Sequence, residues 1–215
     1  MSHEVLVNYL REQWIKLSGK YSRDDDLIHR LFLEIQTAYS SPDRNYHNLH
    51  HIDNMIKLSN QYQNHFHEKD TLDFSIFYHD IIYEVEKSDN EERSGRIAQR
   101  NLEILKVPQR RITATVQYID ASKMHTLEEG ENESDLAWFL DFDMSILGSD
   151  WQSYLEYARQ VRKEFGNFPD IVYNQGRKLF LQQSLNMPYI YHTSRFRSEY
   201  EPQARKNIQK ELLQL

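Results

Sequence analysis

The costly residues of this sequence are ionisable side chains set among apolar ones, and they fall in three places. The first is Phe77-Tyr78-His79-Asp80-Ile81-Ile82-Tyr83, where an imidazole and a carboxylate stand side by side in an otherwise apolar and aromatic run. A carboxylate there must be paired, hydrogen-bonded or metal-bound, because a bare charge is strongly disfavoured away from water. The second is Tyr46-His47-Asn48-Leu49-His50-His51, in which His47 and His51 share a face if both are helical. At about 100° per residue, Met55, Leu58 and Tyr62 fall within about 40° of His51, so His51 points along an apolar stripe, while His50 lies about 100° off it. The third is Trp138-Phe139-Leu140-Asp141-Phe142-Asp143. Asp141 and Asp143 are about 200° apart on a helix, so at most one faces inward. Leu136, Phe139, Leu140 and Leu147 lie on the side of Asp143, which is therefore the expected buried carboxylate. Asp141 is expected to face out with Ala137 and Ser145.

Each of these residues has an ordinary explanation: a core histidine, or an aspartate capped by an arginine or a backbone group. Together, His51, His79, Asp80 and Asp143 give two imidazoles and two carboxylates directed inward. The chain has no cysteine, which excludes disulfides, thiolate metal sites and cysteine nucleophiles. An all-nitrogen and oxygen set of this kind suits a divalent Mn, Mg, Fe, Ni, Co or Zn ion with positions left for water.

The elements that must position these residues read as helices throughout. Leu6, Tyr9, Leu10, Trp14 and Leu17 follow helical spacing, as do Leu27, Leu31, Ile35 and Ala38, with Asp24 to Asp26 supplying an N-cap and dipole charge. A turn at 40–45 contains Pro42 and precedes a helix over 48–62. An apolar helix is expected from Leu72 to Tyr83, and another from 88–90 to about Leu105. Pro108 is expected to start the next in its first turn. Residues 128–134 read as a surface loop, followed by helical patterning at 136–147, 151–165, 171–185 and the C-terminal tail. The pattern predicts one all-α domain over 1–215, with a metal-site core at about 25–185 and the C-terminal helices packed on it.

The chain has 215 residues, 39% hydrophobic and 27% charged, with a formal net charge of -7. No basic cluster is present, so long nucleic acid is an unexpected partner. No run of 18 apolar residues occurs, so no membrane span is expected. The N-terminus lacks a basic start followed by an apolar run, and the cytoplasm is the expected location. Pro188-Tyr189-Ile190-Tyr191 reads either as a homo-oligomer surface or as core packing.

In Arg44–Ile52, Phe77–Glu84, Asp89–Gly95, Phe139–Gly148 and Glu199–Leu212 the sequence resembles the HD superfamily of metal-dependent phosphohydrolases, and within it a small bacterial subfamily with no settled substrate. That family's pattern is His, His-Asp, then Asp on successive helices of an all-helical bundle. The resemblance implies His51, His79, Asp80 and Asp143 as ligands of a divalent ion, with a second ion left open and Asp80 as its bridge. His47-Asn48-Leu49-His50-His51 is also similar to the HNxxH motif of cyclic-nucleotide phosphodiesterases, which implies His47 as general acid. His47 and Asp80 are then the catalytic pair. The implied substrate is a small phosphate ester or anhydride, with nucleotides the leading class.

Four residues carry open roles. Arg44 is either a phosphate binder or a salt-bridge partner. Glu91 and Glu92 either approach the metal or open a helix, since Ser88-x-x-Glu91 fits a capping box. His125 ends Ala121-Ser122-Lys123-Met124-His125, which matches the subfamily's ATxxH stretch with Ser in place of Thr. It shares a face with Ala114, Tyr118 and Ala121 if the helix runs that far. The rival to an enzyme is a non-catalytic regulatory module that binds a nucleotide or metal with the same residues.

Overall fold

The computed structural model describes residues 2–127, 130, 131 and 133–215, and the secondary structure among them is helical with no strand. The all-α expectation holds. No helix among the described residues is long and apolar enough to cross a membrane. The chain divides into two compact units, Met1–Thr126 and Leu127–Leu215.

The first unit runs α1 (His3–Ser18), α2 (Asp25–Tyr39), α3 (Leu49–Gln61), α4 (Lys69–Tyr78), α5 (Asn90–Ile104) and α6 (Gln109–Ser122). Its first three helices begin where side chains satisfy orphan amides. Asp24 accepts from Leu27 N–H at 2.9 Å, and Asn48 accepts from His50 N–H at 2.8 Å. The apolar stripe of α1 buries Leu6, Leu10, Trp14 and Leu17 as its spacing predicts. Trp14 donates its indole N–H to the Ile28 carbonyl at 2.9 Å, which ties α1 to α2. Its ring meets Phe74, Phe77 and Tyr78 of α4 edge-on at centroid distances of 6.0, 5.3 and 5.9 Å. Full burial of an indole contributes several kcal/mol, on the order of the ~3–5 kcal/mol lost when a core Trp is cut to Ala. Helix α6 packs against both α4 and α5, and α4 also packs against α3.

Three expected boundaries change. Helix α4 stops at Tyr78 rather than running to Tyr83, so His79 is its C-cap and Asp80 lies beyond it. Pro108 precedes α6 as its N-cap residue instead of entering the first turn. Helix α5 has Asp89, not Ser88, at its N-cap, and no side chain caps it, so the Ser88–Glu91 box does not form. The side chain of Asn90 instead exchanges two hydrogen bonds with the backbone of Glu84, at 2.9 and 3.1 Å.

The second unit runs α7 (Asp135–Asp143), a 3-10 turn (Met144–Gly148), α8 (Trp151–Glu164), α9 (Asp170–Asn186), α10 (Ser194–Glu199) and α11 (Glu201–Leu212). Of the loop expected at 128–134, Glu128, Glu129 and Asn132 lie outside the described residues, while Gly130, Glu131 and Glu133 are exposed. Trp138, Phe142 and Phe196 form an aromatic core, with centroids 5.7–5.9 Å apart. Gly148 is required by a close approach: a Cβ there would stand 2.8 Å from the Tyr200 carbonyl oxygen. Arg177 is buried against Glu211 at 2.8 and 3.0 Å and Tyr157 Oη at 3.0 Å. Arg162 and Arg205 brace backbone carbonyls as well as Asp170 and Glu201. Of the tyrosine patch, Tyr189 is exposed, while Ile190 and Tyr191 are core residues.

Candidate metal centre

The site in the first unit forms where the start of α3 meets the end of α4. His51 lies in the first turn of α3 and is buried, as its position on the apolar stripe predicts, while His50 is exposed. His79 is buried and Asp80 half-buried. One ligand atom from each of His51, His79 and Asp80 comes within 4.8 Å of the other two, the one His/Cys/Asp/Glu group of this kind among the described residues.

The backbone departs from helix at this point because its groups find other partners. The Ile76 carbonyl, which a continued helix would give to the Asp80 amide, instead accepts from His79 Nδ1 at 3.0 Å. The Asp80 amide donates to Tyr39 Oη at 3.1 Å. Two residues on, Ser94 of α5 accepts from the Ile82 amide at 3.1 Å and donates to the Ile82 carbonyl at 3.3 Å. Residues 80–82 are thus held outside helical geometry by side chains of α2 and α5.

The contact with Ile76 also sets the chemistry of His79. A carbonyl oxygen only accepts, so His79 Nδ1 is the donor, and in the neutral form of the ring this leaves the lone pair on Nε2. That Nε2 faces His51 Nε2 at 3.1 Å and Asp80 Oδ2 at 3.2 Å. A lone pair and a carboxylate oxygen this close repel unless a cation lies between them or the ring is protonated. Two ligands on an ion about 2.1 Å away stand about 3.0 Å apart at a right angle and about 3.4 Å apart at a tetrahedral one. The 3.1 and 3.2 Å separations lie between these values, so the donor set fits a small divalent ion in both chemistry and span.

Around this group the structure distributes the other candidate residues unevenly. His47 lies before α3, not on it, so the shared helix face does not exist. Its ring instead stacks on Tyr83 at 4.1 Å and stands 5.9 Å from that of His51. The guanidinium of Arg44 reaches the carbonyls of His47, Asp80 and Ile81. Glu91 faces Lys123 at 3.9 Å, and Glu92 pairs with Arg96 one turn along α5. Helix α6 ends at Ser122, and His125 sits past it with φ 49°, so it does not continue the face of Ala114, Tyr118 and Ala121. Neither glutamate nor His125 belongs to the group of three.

In the second unit the expectation for the two aspartates is overturned. Asp141 is the buried one and Asp143 is half-buried at the end of α7. Helix α7 is buried nearly all round, from Ala137 to Phe142, so helical phase does not separate its two aspartates. Asp141 accepts from the amides of His192 and Thr193 at 2.7 and 2.8 Å and from the Thr193 hydroxyl at 2.7 Å. Burial pushes its carboxyl up to about 7, against these three donors, which favour the charged form.

Sequence reasoning missed Tyr39, Ser94 and the carbonyl-holding role of Arg44. For Ser94 a signal existed: a Ser-Gly pair opening a buried stripe inside the polar stretch Asp89–Gly95. Comparisons with protein-family models, curated proteins and solved structures find no match to this chain.

Proposed function

We propose that this chain is a metal-dependent phosphohydrolase acting on a small phosphate ester or anhydride, with a nucleotide as the leading substrate class. One observation carries the reading: the convergence of His51 Nε2, His79 Nε2 and Asp80 Oδ2 at separations suited to a divalent ion. These three residues would hold the ion, of the Mn, Mg, Fe, Ni, Co or Zn type. Asp143 is added as a fourth ligand by the sequence resemblance alone. When bound, the ion supplies Lewis acidity toward a phosphoryl oxygen and lowers the pKa of water. The chain's own residues do the rest. His79 is held in the ligating tautomer by the Ile76 carbonyl, and the backbone of Asp80 is fixed by Tyr39 and Arg44. His47, stacked on Tyr83, is the group proposed to give a proton to the leaving oxygen, a role suited to imidazole near neutral pH.

The test has two stages. Protein purified without added metal is analysed for bound transition ions and for affinity toward Mn, Ni, Co and Zn. Phosphate release is then screened over nucleoside mono-, di- and triphosphates and cyclic nucleotides with Mn, Mg, Ni and Co. Bound metal and phosphate release in the wild type, both lost in His79→Ala, are expected. His47→Ala should keep metal and lose at least ~100-fold in turnover. Metal binding without any phosphate release would favour a non-catalytic binding module. No metal binding, with His79→Ala as stable as wild type, would leave the histidines as packing residues and reject the reading.

A further inference from the structure

The three proposed ligands come from two chain segments 28 residues apart, and neither segment holds them by helix geometry alone. His51 sits just inside α3, beyond a run of turns at 41–48, and Asp80 sits past the end of α4. Arg44 bridges these segments. Its Nη1 donates to the His47 carbonyl at 3.3 Å and to the Asp80 carbonyl, and its Nη2 donates to the Ile81 carbonyl at 2.9 Å. Its guanidinium lies over the ring of Tyr39 at 4.9 Å and over that of Tyr83 at 5.7 Å. Tyr39 in turn accepts from the Asp80 amide, so both backbone groups of Asp80 are bound within one cluster. Tyr83 carries the stacked ring of His47.

We infer that Arg44 is a positioning residue for the metal centre: it locks the segment entering α3 to the segment leaving α4, and so sets the spacing of His51, His79 and Asp80. The inference rests on the metal reading above. A planar fork of donors is needed, because three carbonyls on two segments must be met at fixed angles while the flat face packs on two aromatic rings. A lysine ammonium satisfies the charge but not this arrangement. Ligand spacing is held to tenths of an ångström in metal sites, and outer groups that orient ligands typically change affinity about 10- to 100-fold. With its fork directed at the main chain, Arg44 acts through Asp80 and the α3 entry rather than on a substrate.

The experiment is a metal titration of the full chain, by calorimetry with Mn or Ni, on wild type, Arg44→Lys, Arg44→Ala and Arg111→Lys. Arg111 anchors other parts of the same unit, at Glu68 and Tyr21, and serves as the structural control. Arg44→Lys and Arg44→Ala are expected to weaken metal binding about 10-fold or more. Arg111→Lys should lower the melting temperature and leave affinity unchanged. Guanidinium ion at sub-denaturing concentration should restore part of the affinity of Arg44→Ala, and methylammonium should not. Unchanged affinity in both Arg44 variants, with wild type binding metal, overturns the inference and spares the metal reading. So does an equal loss in Arg111→Lys at matched stability. Absence of binding in the wild type overturns both. If Arg44→Ala does not fold, Arg44→Lys carries the comparison.

Discussion

At the scale of single residues, the position of a buried charge is decided by its partners, and partners far along the chain are invisible to a helical wheel. The wheel separated His51 from His50 correctly because α3 is amphipathic, with exposed Asn54, Lys57 and Gln61 on the side of His50. It misassigned Asp141, whose three donors lie 51 and 52 residues away. Asp141 is therefore a latch inside the second unit, holding the His192–Thr193 backbone to α7, and Thr193 also caps α10. Asp141→Ala leaves the part-buried His192 amide and the buried Thr193 amide and hydroxyl without their acceptor, at a cost on the order of 3 kcal/mol. Denaturant unfolding should show that loss, together with faster hydrogen exchange at the His192 and Thr193 amides. A small loss, with unchanged exchange at those amides, would mean that water replaces the carboxylate of Asp141.

At the scale of elements, side chains that bond to backbone decide where helices begin and end, and this was only half legible in the sequence. The cap at Asp24 was readable from residue type. The end of α4 was not, because it depends on Tyr39 and Ser94, from helices that only the fold brings near. The other end of α4 is anchored by charge. Asp70, in its first turn, is bonded to Lys20 and, at 2.6 Å, to Tyr21 Oη, with Arg111 of α6 at 3.6 Å. Burial raises the carboxyl, but hydrogen bonds from Lys20 and Tyr21 and the two nearby cations outweigh it and hold Asp70 below its usual 3.8. Below 3.8 and down to the folded value, the unfolded chain binds more protons, so stability falls with pH in that window. The contribution is fully present above about pH 4 to 5, given ordinary carboxylate values. Asp70→Asn should lower stability by about 1 kcal/mol at pH 7 and reduce the loss seen between pH 5 and 3. Parallel pH curves for wild type and variant would remove Asp70 from the acid response.

At the scale of the whole molecule, helix content followed from the 3.6-residue pattern, while the division into two compact units falls beside the polar stretch 128–134, which composition alone reads as a surface loop. The candidate triad belongs entirely to the first unit. The imidazoles of His51 and His79 face each other at 3.1 Å, and on the proposed metal reading a cation held by them would act as a folding ligand for that unit. A ligand bound only by the folded state adds RT ln(1 + [L]/Kd), about 2.7 kcal/mol at one hundred times Kd. Hydrogen exchange of α3 and of the last turn of α4 should therefore slow about 100-fold in saturating Mn or Ni, wherever the metal-free unit exchanges by unfolding. His79→Ala should abolish the effect, and Mg at equal concentration should give less, since it prefers oxygen ligands and holds its water. The same protection in His79→Ala would place the ion elsewhere on this acidic chain. Protection confined to α3 and α4, and lost with the imidazole, would tie the metal to the His79-Asp80 pair.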